Sequence, residues 1–340
     1  MNIQDAIAHV IAGQHLGEDA AYAVMMAIMR GECTPAQIGG YLVGLAAKGE
    51  TIAEIAGSAR AMREQAIAVR HAYDGWLVDT CGTGGDHSGT FNISTTSAFV
   101  IAGCGVPVAK HGNRSVTSKA GSADVLKALG VNLDLTPEQV GACIDEVGIG
   151  FLYAVHHHPA MKHASAPRRE LRARTIFNIL GPLTNPASAT HQIVGVFDLA
   201  LTEPLARVLG RLGTRAAFVM HGADGLDEFS TTGVNRISHL RGGTVTTFDL
   251  DPLDLGFPRA HLSDLLGGSP EENAGMLRAI LAGEEQGPKR QVVILNAAAA
   301  LAVEDGNWEA AIARTRASID SGAALAKLTA LIEKSQVFAS

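Results

Sequence analysis

The sequence predicts an α/β fold in two parts. A small helical domain occupies 1–72, and a large α/β domain over 73–340 has a mainly parallel central sheet covered by helices. Three observations carry this prediction. From Ile3 to about Arg70 apolar residues recur at helical spacing, and nothing alternates like a strand. From about His71 short apolar runs alternate with helical stretches, the pattern of parallel strands joined by crossover helices. After Glu271 the chain reads as helix again, ending in an Ala-rich helix and two amphipathic ones.

The elements follow in order. Ile3, Ile7, Val10 and Ile11 mark one helix face, and Ala21, Met25, Ile28 and Met29 mark the next. Thr34–Pro35 reads as a helix start, and Thr51–Ile52–Ala53–Glu54 as a capping box. Trp76 to Val78, Val106 to Ala109 and Phe151 to Ala154 are strand-like runs, separated by helical stretches that include Ser94 to Gly103 and Ser122 to Leu129. Then come a strand at Gln192 to Phe197, a helix from Pro204 to Leu212 and a strand at Ala216 to Met220. Arg236 to Leu240 and Thr244 to Phe248 read as a hairpin around Gly242–Gly243, at a sheet edge.

Composition narrows the function. Apolar residues make up 47% of 340, enough for a sizeable core and against disorder. A net charge of −7 argues against nucleic acid or an anionic membrane as the partner. Cys33, Cys81, Cys104 and Cys143 form no CxxC pair and read as reduced thiols, which with the absence of a basic, apolar leader predicts a cytoplasmic protein. The longest apolar run, Val292 to Val303, is interrupted by Asn296 and too short to span a bilayer. Glycine is abundant, 38 of 340, which suggests tight turns or backbone brought close to a ligand.

The densest glycine stretch is Thr80 to Thr95, TCGTGGDHSGTFNIST, between a strand ending at Asp79 and a helix starting near Ser94. That is where α/β folds bind anions. It departs from the dinucleotide pattern at His87, and Thr90–Phe91 stand where a P-loop needs Lys and a hydroxyl. The second cluster, Lys110 to Lys119, holds two lysines, an arginine, a histidine and three hydroxyls, again between a strand and a helix. Alone it could be a solvated basic turn. Loops at the carboxyl ends of neighbouring parallel strands converge on one crevice, however, so one shared polyanion explains both. In the third cluster, His221 to Glu228, the adjacent acids Asp227–Glu228 suit Mg²⁺ shared with phosphate oxygens. The fourth, His156 to His163 followed by Arg168–Arg169, matches no zinc pattern and suits a small carboxylate-bearing substrate. Arg169–Glu170 could equally be a surface ion pair. No Ser/His/Asp or Cys/His set stands out, so direct transfer between bound substrates is favoured over a protein nucleophile.

In order and spacing the chain resembles the anthranilate phosphoribosyltransferases. The matching motifs are GTGGD at 82–86, NIST at 92–95, KHGNR at 110–114 and SKAGSAD at 118–124. HHPAMKH at 157–163, RTIFNILGPLTNP at 174–186 and HGADGLDE at 221–228 complete the series. Departures are small: Thr117 and Ala120 replace common serines, His87–Ser88 occupy a variable position, and Met161 stands where some members carry Tyr. The resemblance implies Mg²⁺-dependent transfer of the phosphoribosyl group of 5-phosphoribosyl 1-diphosphate (PRPP) to the amine of anthranilate, the second step of the tryptophan branch. It also implies two Mg²⁺ per active site, a homodimer through the helical domains, and a helical domain joined in space by about 168–186.

By resemblance, Gly82, Gly84, Gly85, Asp86, Thr90, Asn92, Ser94, Thr95, Lys110 and Ser122 form the PRPP shell. Ser94, Asp227 and Glu228 hold metal, and Gly82, His111, Asn113, His158 and Arg168 seat anthranilate, Arg168 meeting its carboxylate. No residue is assigned as acid, base or nucleophile. Two other functions share such features. A pyrimidine nucleoside phosphorylase would have no use for Asp227–Glu228, and a nucleic-acid-binding relative would need a basic surface.

Overall fold

A computed structural model describes residues 1–114 and 119–338. Four helices open the chain: α1 (Ile3–Ile11), α2 (Glu18–Met29), α3 (Pro35–Lys48) and α4 (Ile52–Gln65). The caps foreseen at Thr34 and Thr51 both form. Each is a reciprocal box, with Gln37 and Glu54 returning to the cap N–H, and Pro35 occupies the first turn of α3 where no donor is lost.

The sheet then builds by alternation: β1 (Val78–Gly82), α5 (Ile93–Gly103), β2 (Val108–Gly112), α6 (Ser122–Ala128), α7 (Pro137–Val147) and β3 (Ile149–Tyr153). After the short α8 (Ala154–His157), α9 (Lys162–Leu171) and α10 (Phe177–Leu180) come β4 (His191–Gly195), α11 (Thr202–Arg211) and β5 (Ala216–His221). The hairpin β6 (Asn235–Arg241) and β7 (Thr244–Leu250) follows, then α12 (Pro270–Leu281), α13 (Pro288–Ala302), α14 (Trp308–Asp320) and α15 (Ala323–Val337). Strand order is β3-β2-β1-β4-β5-β6-β7, the first five parallel and the last two antiparallel. The hairpin does lie at an edge.

Two strands run further than local pattern suggested. β1 continues through Gly82 because β4 pairs with it in register from Val78↔His191 to Gly82↔Gly195. β2 starts at Val108 and continues through Lys110 and His111 to Gly112, paired with β3 up to Gly112↔Tyr153. The first residues of both polar clusters are therefore held by a ladder rather than by a loop.

Side-chain alternation along β4 and β5 divides the core. Ile193, Phe218 and Met220 face a cluster with α5, α13, α14 and α15. Val194, Ala217 and Val219 face the opposite cluster, built from α1–α4, α11 and the segment from Ala164 to Leu183. Arg63 ties these parts together: its guanidinium donates to the Leu183 carbonyl (2.6 Å) and the Leu212 carbonyl (2.9 Å). Among the described residues, no helix is long and apolar enough to cross a membrane.

Candidate functional site

The chain leaves β1 toward β2 and β3 on one side and returns to β4 and β5 on the other, so the order reverses at β1. Ligands of open α/β sheets bind at the carboxyl end of such a switch point. A cavity of about 450 Å³ lies there, walled by the glycine-rich stretch after β1, the end of β2, the start of α6, α9, residues 177–182 and Asp227–Glu228.

Glycine is required where the acids approach. A Cβ on Gly195 would lie 1.6 Å from the Asp227 carbonyl oxygen, and one on its register partner Gly82 would lie 2.1 Å from Asp227 Oδ2. Gly195 thus seats the Asp227 main chain and Gly82 its carboxyl group. Beyond it the loop turns at Gly84 and Gly85, with φ of +68° and +77°. The loop is also tied down. Thr83 N–H donates to the Gly195 carbonyl (2.9 Å), and Arg174, over the Phe197 ring at 3.9 Å, donates to the Gly85 carbonyl at 2.5 Å.

The two acids sit on backbone donors. Gly84 N–H donates to Asp227 Oδ2 (2.7 Å), and Ser94 N–H, in the first turn of α5, donates to Glu228 Oε1 (3.0 Å). A glycine turn and a helix start are the backbone settings that attract anions, and here both of these N–H groups are taken by the acids. Burial, then the charges of Asp86 and Glu228, hold the Asp227 carboxyl well above the usual carboxylate range. Burial likewise raises Glu228, against the opposing influence of Lys110 and the Ser94 donors. Crowded carboxylates of this kind fit a hard divalent cation, which would relieve their repulsion. No group of three or more His, Cys, Asp or Glu poised for a metal occurs among the described residues. Such a cation would thus take ligands from substrate as well as from the acid pair.

Every residue expected in the PRPP and metal sets lines this cavity: Gly82, Gly84, Gly85, Asp86, Thr90, Asn92, Ser94, Thr95, Lys110, Ser122, Asp227 and Glu228. Lys110 is 3% exposed and its ammonium donates to the Thr80 carbonyl. Asn92 braces the start of α5, donating to the Ala120 carbonyl (3.2 Å) and accepting from Asn273 (2.9 Å). Ser122 donates to the Asn113 carbonyl (3.2 Å). Ser115 to Ser118, which carry the three hydroxyls of the second cluster, lie outside the described residues.

Of the residues expected around anthranilate, Gly82, His111, Asn113 and Arg168 line the cavity and His158 does not. His158 packs behind His111, ring centroids 5.2 Å apart. Burial, then the neighbouring histidines, pushes His111 well below the usual imidazole range. Burial and His157 bring His158 down to about 4, so both rings are neutral at pH 7. Arg168 lies over the Phe177 ring at 5.0 Å, and burial lowers its pKa. Sequence reasoning assigned no role to Phe177, Asn178, Gly181 and Pro182, which form the wall beside Arg168. Their motif was visible, but its small and apolar residues carry no chemical signature.

Fold and cavity define a two-part glycosyl transferase. The model of the glycosyl transferase family's a/b domain matches residues 74–325, and that of its helical bundle domain matches residues 4–66. Anthranilate phosphoribosyltransferase of Moorella thermoacetica is 55% identical over 328 residues, 96% of each chain. The solved anthranilate phosphoribosyltransferase of Thermus thermophilus is 44% identical, with a TM-score of 0.92 over 98% of this chain and 99% of that one. The Saccharomyces cerevisiae enzyme in complex with PRPP and Mg is 27% identical, with a TM-score of 0.90 over 98% of each chain. The chain belongs to the anthranilate phosphoribosyltransferase family.

Proposed function

We propose that this protein transfers the phosphoribosyl group of PRPP to the amine of anthranilate, releasing pyrophosphate, as the second step of the tryptophan branch. The observation that carries this is the seating of Asp227 and Glu228 on the Gly84 and Ser94 N–H groups. Two acids suited to a divalent cation, held at the glycine turn and the start of α5, support a site for a metal-bound diphosphate. A nucleoside phosphorylase has no use for that juxtaposition.

The C1–O bond of PRPP breaks as the C1–N bond forms, so negative charge collects on the departing diphosphate and positive charge on the ribose. Lys110 and the N-terminus of α5 face the negative side. Gly82, Gly84, Gly85, Asp86, Thr90, Asn92, Thr95 and Ser122 complete the PRPP shell. Ser94, Asp227 and Glu228 would hold Mg²⁺, two ions per site, and bound Mg²⁺ neutralises phosphate charge as the bond breaks. Arg168 orients anthranilate through its carboxylate, with Gly82, His111 and Asn113 around the ring and His158 backing His111. The aryl amine is neutral and nucleophilic at pH 7, so alignment outweighs activation.

The helical domain comprises 1–72 with about 168–186, and 73–340 otherwise forms the PRPP-binding domain. The packing of Ile176 to Leu183 into the same core as α1–α4 supports the joining of that segment to the helical domain. The protein acts in the cytoplasm as a homodimer through its helical domains. Exposed Ile11 on α1 and Val43 on α3 support that face as the interface. The test is loss of anthranilate fluorescence in the presence of PRPP and Mg²⁺. Turnover should be abolished by EDTA and restored by Mg²⁺, and PRPP-independent loss or none would refute the reading.

A further inference from the structure

We infer that Asp79 and Asn185 are positioning residues for this transfer, a buried carboxylate–amide bridge wedged between β1 and β2 that presents Lys110 and His111 to the cavity. The inference rests on the proposed PRPP site.

The two strands that carry the bridge are not paired like the others. β1 meets β4 at five successive positions, but its register with β2 is limited to Val78↔Val108. Beyond that point side chains take over the ladder. Asp79 Oδ1 accepts the His111 N–H (3.0 Å), a donor that would otherwise face β1. Asp79 Oδ2 accepts from Asn185 Nδ2 (2.8 Å), and the same Nδ2 donates to the Ala109 carbonyl (2.8 Å). Asn185 Oδ1 accepts the Ala187 N–H (2.8 Å), so the amide cannot flip without losing three bonds. From the other side, Lys110 reaches back to the Thr80 carbonyl.

Every participant is buried: Asp79 is 0% exposed, Asn185 3% and Lys110 3%. Buried charge is costly unless paired and hydrogen-bonded, and a buried ionic network is seldom the most stable way to fill a core. Here it sets geometry. The wedge holds β2 away from β1 at its carboxyl end, where the cavity opens between them. It also fixes the backbone of two successive cavity residues. Through Asn185 these strands are joined to the segment whose Gly181 and Pro182 line the cavity beside Arg168. Burial raises the Asp79 carboxyl above the usual carboxylate range, and the charge of Lys110 opposes that rise. Neither Asp79 nor Asn185 lines the cavity, so both act through Lys110 and His111.

A double-mutant cycle read by isothermal titration of PRPP in Mg²⁺ tests this. Asp79→Asn keeps the shape but removes the charge and brings an amide against the Asn185 NH₂. It should weaken PRPP binding about tenfold in the parent, and by less than about threefold in a Lys110→Met background, a coupling normal for groups in one buried polar network. If Asp79→Asn does not fold, Asn185→Ser, which leaves the carboxylate in place, carries the same cycle. Equal losses in both backgrounds, or parent-like PRPP affinity for the variant, would overturn the inference. An unsubstituted protein that binds no PRPP would instead overturn the proposed function.

Discussion

Gly195→Ala tests the seat of the acid pair. Gly195 is buried at the end of β4 and has no positive φ, so alanine suits its backbone and only the contact is at issue. The new Cβ would stand 1.6 Å from the Asp227 carbonyl oxygen, 2.2 Å from its carbon and 2.9 Å from its Cα, all main-chain atoms. Moving the oxygen from 1.6 Å to the 3.0 Å that real Cβ contacts keep displaces the chain by about 1.4 Å. Asp227 and Glu228 ride on that segment, and a misplacement of about 1 Å in a catalytic array can cost about 10²-fold. Overpacking costs about 1–3 kcal/mol, below the ~5–15 kcal/mol stability of an ordinary domain, so the variant should still fold. The assay is initial rate against PRPP and Mg²⁺, with circular dichroism as a check on folding. Gly275→Ala, on α12 with nothing within 4 Å of its Cβ, is the control and should match the parent. We expect kcat to fall about 100-fold in Gly195→Ala. A folded variant within about threefold of the parent would refute the steric argument.

Three further predictions follow from the same geometry. Arg168→Ala should raise the KM for anthranilate at least about tenfold while that for PRPP changes little; equal effects on both would count against Arg168 as the carboxylate anchor. Glu228→Gln should raise the Mg²⁺ concentration needed for half-maximal rate by about tenfold, and an unchanged Mg²⁺ titration would remove Glu228 from the metal set. Glu54 and Lys48, 0% and 3% exposed and 2.9 Å apart, join the α1–α2 loop to the start of α4. Glu54→Gln should cost about 3 kcal/mol in urea unfolding without altering either KM. Burial alone would raise the Glu54 pKa, but donation from Leu16 N–H, Lys48 and Thr51 lowers it overall. Its contribution is therefore present above the unfolded carboxylate pKa of about 4.3 and lost as pH falls through the lower folded value. The parent–variant difference should shrink below about pH 4, and a gap constant down to pH 2 would exclude the linkage.

Much of this protein is written locally, and those parts were legible. Helix starts at Thr34 and Thr51 depend on residues three positions away, and the sheet's βα alternation depends on runs of apolar residues. Phosphate-loop chemistry is local too, since glycine turns and helix N-termini need only neighbouring residues. Resemblance through spaced motifs supplied the substrates and the list of site residues.

What the tertiary structure decided involves partners far apart in the chain. β1 and β2 extend into their polar clusters because β4 and β3 pair with them, and no local propensity records that pairing. His158 stands behind His111 instead of on the cavity wall because the turn after α8 folds it inward. Gly195 looked like an ordinary strand residue until Asp227, 32 positions later, was laid across it. Asp79 read only as an acid ending an apolar run; its meaning came from Asn185, 106 residues away. The amino-acid order alone determined the element types, the phosphate-binding character and the kinship. The close approaches that aim those groups at one cavity arise from packing between distant segments, where a contact's energy depends on distance in space rather than along the chain.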